Sequence, residues 1–261
     1  MSEFDVIVLG TGAAGMAAAL AAHEAGASVA LVERFDRVGG TSAVSGGVIW
    51  VADNPRMRAA GMADSREEAL AYFRSLDHGD LVDDTLEAFV DRGPEALAFL
   101  EGIGALSVAV LPGYPDYYLD RPGAKPQGSR ALDHDLFALG ELGEWAGRIV
   151  AIEEPKPMML RETPLGGGSG RVEPEELQRR MANRERGFGQ AMVARLLKAC
   201  LARGIEPKLG VETTRLLIED GRVAGIETGE GALRAPPSSS SIRQVVGAAA
   251  QCSRSSDTRQ L

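Results

Sequence analysis

The stretch Phe4-Asp5-Val6-Ile7-Val8-Leu9-Gly10-Thr11-Gly12-Ala13-Ala14-Gly15 decides the fold. Its opening residues form a short β-branched, apolar run that reads as a buried parallel strand. The glycines after it have the spacing G-x-G-x-x-G, and the alanine-rich run from Met16 to Ala25 predicts a helix stopped by Gly26. Ser28 to Val32 reads as a second strand, ending at Glu33. In such a turn Gly10 permits the tight bend, Gly12 lets a pyrophosphate approach the backbone, and Gly15 lets helix and strand pack closely. The N-terminus of that helix offers N–H donors and a positive dipole end to phosphates, and Ala13 and Ala14, leading into it, are cofactor-binding candidates with the glycines. Glu33 stands where an acidic side chain accepts hydrogen bonds from a ribose hydroxyl. The pattern predicts a dinucleotide site for NAD or FAD; the alternative is a tight strand-to-helix turn in some other α/β protein.

Arg34 leads on to Gly39-Gly40-Thr41-Ser42 and then Ser45-Gly46-Gly47. Glycines here let the backbone lie against a planar ring system and a diphosphate, and Thr41, Ser42 and Ser45 add hydroxyl donors. A flexible Gly/Ser loop is the plainer reading. The segment from Glu33 to Gly47 resembles the E-x-x-x-x-x-G-G-T-S-x-x-S-G-G stretch of flavoproteins in the fumarate reductase and 3-ketosteroid dehydrogenase superfamily. That resemblance implies FAD as the cofactor. It also implies an α/β, Rossmann-like FAD-binding domain, a parallel sheet with helices and an added β-hairpin, here incomplete.

Composition narrows the partners. The 261 residues carry 37 acidic against 28 basic side chains, a formal net charge of −9, which argues against a nonspecific grip on nucleic acid or anionic membrane. Cys200 and Cys252 are too few for a disulfide framework and sit in no metal-ligand spacing. Glu3 and Asp5 near the N-terminus are unlike the basic start of a signal peptide, and the run from Ala13 to Ala22 is too short to span a bilayer. A cytoplasmic protein acting on a small molecule is expected.

Residues 64–101 read as helices, one capped at Ser65, one from Asp84 to Val90, and another opening at Pro94. Leu111-Pro112-Gly113-Tyr114-Pro115-Asp116-Tyr117-Tyr118 then places three of the four tyrosines within five positions of a loop. Such rings can stack on a flat apolar ligand and exchange a proton through the hydroxyl, or they can simply anchor the loop in the core. This loop is similar to one in flavin-dependent 3-ketosteroid Δ1-dehydrogenases. The resemblance implies that Tyr117 lies in the active site and supports a second tyrosine acting as base, with Tyr118 beside it against substrate.

From Lys125 to Arg148, Leu132, Leu136, Leu139, Leu142 and Trp145 recur at helical intervals, and the glycine run 166–170 reads as a mobile linker. A helix is expected from Gly189 to Ala202, then two strands around Asp220-Gly221. The same resemblance sets the backbone near Val211 beside the adenine.

The family pattern stops at Ala235. Residues 1–235 are expected to be the N-terminal segment of the FAD-binding domain, and 236–261 an aberrant or disordered tail, beginning Pro236-Pro237-Ser238-Ser239. Its Pro/Ser text fits a reading-frame shift in a GC-rich gene, or a natural tail; the family's substrate domain is absent from it. The resemblance implies 1,2-dehydrogenation of a 3-ketosteroid, with a fumarate- or urocanate-type reductase and a non-catalytic FAD-binding fragment as alternatives.

Overall fold

The computed structural model describes residues 2–153, 157–235 and 244–247. Strand β1 (Ser2–Glu3) precedes β2 (Val6–Leu9), α1 (Ala13–Glu24) and β3 (Val29–Val32), the strand–turn–helix–strand unit expected from the opening stretch. β2 and β3 are parallel, with Val6 opposite Val29 and Leu9 opposite Val32. Val6 and Val8 are buried in one core with Met16, Ala19 and Leu20 of α1, while Ile7 is buried on the opposite face with Val211 and Ile226. Beyond β3 the chain returns at Lys208–Val211: Glu33 N–H donates to Lys208 O at 2.8 Å, and Val211 N–H to Glu33 O at 2.9 Å.

On the other side of β2 lies β12 (Gln244–Gly247), parallel, with Gln244 opposite Val6 and Gly247 opposite Leu9. No strand is expected there from the sequence. A β-branched pair, Val245-Val246, meets an edge whose N–H and C=O groups would otherwise lack partners. The rest of the expected aberrant or disordered tail lies outside the described residues.

Helix α2 (Gly40–Val44) and strand β4 (Ile49–Trp50) follow, then α3 (Pro55–Ala59) and α4 (Arg66–Ser75). Ser65 caps α4 as expected, its Oγ accepting from Glu68 N–H at 3.1 Å. Helix α5 (Asp83–Gly102) runs unbroken through Pro94 instead of dividing there. Gly93 has no Cβ to clash with the proline ring, and the buried stripe Leu86, Val90 and Leu97 spans both halves.

Strands β5 (Val108–Pro112) and β6 (Gly128–His134) pair antiparallel, with β4 on the far side of β6. The helical spacing expected between Lys125 and Arg148 is therefore not a helix. Leu132 sits in β6, where every residue is buried, so no alternation betrays a strand. After β7 (Phe137–Ala138), Leu139, Leu142 and Trp145 lie on 3₁₀ turns broken at Gly143. The glycine run 166–170 is folded back on its neighbours, with Gly168 N–H donating to Thr163 O and Gly170 N–H to Glu162 O, both at 2.8 Å.

Helix α6 (Pro174–Ala182) and β8 (Glu185–Arg186) lead to α7 (Phe188–Leu201), whose Ala191, Val193, Ala194 and Leu197 are fully buried beside α1. The expected hairpin is β9 (Thr213–Glu219) and β10 (Arg222–Thr228), turned at Asp220 (φ 50°) and Gly221 (φ 74°) and extended by β11 (Gly231–Arg234). Among the described residues no helix is long and apolar enough to cross a membrane.

Candidate functional site

The turn between β2 and α1 is organised by a residue the glycine spacing leaves unmarked. Thr11 is fully buried, and both its N–H (3.0 Å) and its hydroxyl (2.7 Å) donate to Glu33 Oε2. Gly39 N–H in turn donates to the Thr11 hydroxyl at 3.0 Å. Glu33 Oε1 accepts from Phe35 N–H at 3.1 Å. Glu33 thus works first inside the chain, and a carboxylate's four acceptor positions leave capacity for a ligand hydroxyl. The only clue to Thr11 in the sequence is a hydroxyl between two glycines.

A cavity of about 520 Å³ opens over this turn, lined by Gly10, Glu33, Arg34, Phe35, Thr41 and Val211. Five of its ten lining residues, Gly10, Glu33, Arg34, Thr41 and Val211, are singled out from the sequence; among the others is Phe35, half-exposed, with the Arg34 guanidinium 4.5 Å from its ring centroid. Helix α1 begins beside it, with Gly12 at the N-cap offering no side chain of its own and no acidic residue in the first turn. Ser42 Oγ accepts from Ala13 N–H at 3.1 Å, while Ala14 is exposed.

The glycines divide by what faces them. A Cβ on Gly15 would lie 2.0 Å from Gly10 O, the close helix–strand approach expected of it. On Gly47 it would lie 2.5 Å from the Phe188 carbonyl carbon of α7, and on Gly39 2.8 Å from Ala43 Cβ of α2 and 2.9 Å from Val193 Cγ1 of α7, so neither position has room for a side chain. Gly10, Gly40 and Gly46 face open space. Ser45 is engaged in its own turn, donating to Ser42 O at 2.9 Å and accepting from Gly47 N–H at 3.0 Å. Open glycine backbone, a helix start free of acidic residues, a buried carboxylate and a half-exposed aromatic ring along one cavity suit the phosphate, ribose and base of a dinucleotide.

One residue beyond Gly47, Val48 begins a second cavity, about 340 Å³, walled by Trp50, Tyr72, Phe73, Phe89 and the tyrosine loop. Trp50 and Phe73 meet edge-on at 4.9 Å, and Trp50 stacks on Phe89 at 6.3 Å. Tyr117 is 83% exposed and Tyr118 53%, so neither ring is a core anchor. Tyr72, from α4, is buried, and its hydroxyl accepts from Tyr118 N–H at 3.3 Å. Burial, then a hydrogen bond with Tyr117, raises the Tyr114 phenol above the ordinary tyrosine range.

Beneath the loop, Asp116 accepts from Trp50 Nε1–H at 2.8 Å, Lys125 N–H at 2.9 Å and Arg130 at 2.9 Å. Arg130 also spans both oxygens of Asp64, at 2.6 and 2.8 Å. Burial opposes ionisation of Asp64, but Arg130 and main-chain N–H groups outweigh it and hold its pKa below the usual carboxylate range. Neither Asp64 nor Arg130 stands out in the sequence, because ion pairs between distant segments leave no spacing to read.

Comparison with known proteins agrees with this geometry. The FAD binding domain family matches residues 5–260. The 4-oxocyclohexanecarboxylate 2-dehydrogenase of Sinomonas cyclohexanicum is 35% identical over 88% of this chain and 41% of its own length. The 3-oxosteroid 1-dehydrogenase of Mycolicibacterium smegmatis is 34% identical over 86% of this chain and 42% of its own. The crystal structure of 3-ketosteroid delta1-dehydrogenase from Sterolibacterium denitrificans, in complex with 1,4-androstadiene-3,17-dione, superposes with a TM-score of 0.80 at 32% identity, covering 95% of this chain and 48% of that one. The chain therefore spans less than half the length of these relatives. With a dinucleotide cradle at its first turn and this family across its length, the chain belongs to the FAD binding domain family, and its cofactor is FAD.

Proposed function

We propose that the chain is the FAD-binding part of a 3-oxosteroid 1-dehydrogenase-like oxidoreductase, which removes two hydrogens from the ring of a neutral cyclic ketone. One observation carries the choice of substrate class. Among the described residues, no lysine, arginine or histidine lines the aromatic cavity beside Gly47; its walls are aromatic and aliphatic apart from Asp116. Arg130 lies behind that wall, 1% exposed, with its charge committed to Asp64 and Asp116. A carboxylated substrate would meet no cation there, whereas a flat apolar ketone would meet rings and phenol hydroxyls. This disfavours the fumarate- or urocanate-type reading, and it favours a steroid-like ketone over an oxocyclohexane carboxylate.

In this reading bound FAD supplies the acceptor for the electrons leaving the ketone ring. Gly10, Gly12, Ala13 and Ala14 hold its pyrophosphate, Gly15 lets α1 pack closely enough to present them, Glu33 and Arg34 hold the ribose end, and Val211 borders the adenine. Gly39, Gly40, Thr41, Ser42, Ser45, Gly46 and Gly47 form the strip against the flavin side. Tyr118 offers a ring face to substrate. Tyr117 is catalytic by hydrogen-bonding the reacting end of the ketone and supporting the tyrosine base, which the resemblance places in the substrate domain.

The test is to purify the full chain with FAD, record its flavin spectrum, and titrate 4-androstene-3,17-dione and 4-oxocyclohexanecarboxylate separately. A yellow protein that binds the steroid and not the acid supports the proposal. Preference for the acid would overturn it, and flavin without either ligand would leave a non-catalytic FAD-binding fragment. Dye reduction with the steroid would add that the chain turns over alone.

A further inference from the structure

The tyrosine loop combines an exposed ring with a deeply held neighbour. Tyr117 is 83% exposed, while the Asp116 side chain one residue earlier is 3% exposed and takes three hydrogen bonds from three separate segments. Main-chain bonds close the loop around it: Gly113 N–H donates to Gln127 O at 3.0 Å, and Asp116 N–H to Lys125 O at 3.2 Å. On the loop's outer side a Cβ on Gly123 would fall 2.0 Å from Glu68 O, so the return limb is seated directly on α4.

Arg130, on β6, is what Asp116 is fastened to. Its guanidinium lies 5.1 Å from the Trp50 ring centroid and 5.8 Å from that of Tyr72. Asp64, with a side chain 0% exposed, holds the other edge of the fork, and Lys125 Nζ sits 3.4 Å from Asp64 Oδ1. Because Lys125 Nζ lies closer to Glu68 Oε2, at 2.7 Å, Arg130 is the cation that the two buried carboxylates share. Apolar residues of similar volume are often as stabilising as a buried charge network, so its worth lies in fixing geometry more than in adding stability.

Taking Tyr117 as the site's tyrosine, as proposed above, we infer that Asp116, gripped by Arg130, is the positioning residue that fixes Tyr117 over the aromatic cavity. The peptide bond that joins them lets Asp116 set the main-chain direction from which the exposed ring projects. Trp50 serves the same end twice, walling the cavity and donating to Asp116.

The test uses the full chain with FAD and 3-fluorotyrosine at its four tyrosines, read by fluorine NMR, with Tyr117→Phe and Tyr72→Phe assigning two resonances. In Asp116→Asn the Tyr117 resonance is expected to move and narrow as the ring gains freedom, while that of buried Tyr72 stays. The Kd for 4-androstene-3,17-dione should rise about tenfold and that for FAD by less than about twofold. A folded Asp116→Asn protein with an unmoved Tyr117 resonance would overturn the inference. Should that variant lose the Tyr72 resonance as well, Arg130→Lys decides by the same criterion, because lysine keeps the charge but cannot span two carboxylates. If no form binds the steroid, the substrate reading fails, and the Tyr117 resonance still judges the clamp.

Discussion

Thr11 and Glu33 are joined twice through one oxygen, Glu33 Oε2 accepting both the main-chain N–H and the hydroxyl of Thr11. Because Gly39 N–H donates to that same hydroxyl, a single side chain ties together the ends of β2, β3 and the start of α2. Replacing Thr11 by valine keeps the shape but leaves Gly39 N–H without its acceptor and Glu33 without one donor. The expected cost is about 1–3 kcal/mol of stability, and fluorescence titration should show FAD binding weakened by roughly tenfold. Wild-type affinity in Thr11→Val would show that the hydroxyl does not order the cradle.

Two glycines of the cradle separate folding from binding. Gly15→Ala drives a methyl into Gly10 O and should yield little folded protein. Gly46→Ala meets no atom within 4 Å, so its melting temperature should stay within a few degrees of wild type while flavin retention after gel filtration falls. Equal thermal losses in the two variants would contradict this division.

His134 gives the protein an acid limit. It is fully buried in β6, and burial together with the Arg195 cation pushes its pKa down to about 4. Above the ordinary histidine value of about 6.5 neither folded nor unfolded chain carries this proton, and stability is complete. As pH falls below that value, the unfolded chain takes up a proton the folded chain refuses, and stability is lost until about pH 4. At pH 5 the loss should be about 2 kcal/mol relative to pH 7.5. Urea melts of His134→Leu should lack this drop, and a drop equal to wild type would assign it to other groups.

Cys200 should be inert. Burial pushes its thiol up to about 12, and its S–H points to Met16 O between α1 and α7. In a Cys252→Ser background a disulfide reagent at pH 8 should label the thiol only as fast as the protein unfolds. Rapid labelling of native protein would mean that the α1–α7 packing opens.

The parts read correctly from sequence are those with local causes. Gly10 to Gly15 mark a turn because backbone geometry demands glycine there, and Asp220-Gly221 marks a hairpin for the same reason. Where long-range packing takes over, local reading fails. Leu132 lies in a strand buried on both faces, and Pro94 stays inside a helix because Gly93 and a continuous apolar stripe permit it. Gly39 and Gly47 read from the sequence as part of a cofactor strip, whereas their contact with α7 depends on a helix beginning at Phe188. Thr11, Phe35, Asp64 and Arg130 acquire meaning only once Glu33 and the loop at Asp116 are set in space.

The pairing of β12 with β2 puts a time delay into the making of this domain. Val6 pairs on one side with Val29, made soon after it, but on the other with Gln244, which is synthesised more than two hundred residues later. At about 5–20 residues per second, the strand that leads into the nucleotide cradle keeps one side bare for some ten to fifty seconds. A nascent chain halted before Gln244 should therefore be cut by protease more readily within β2 than one halted well beyond Gly247.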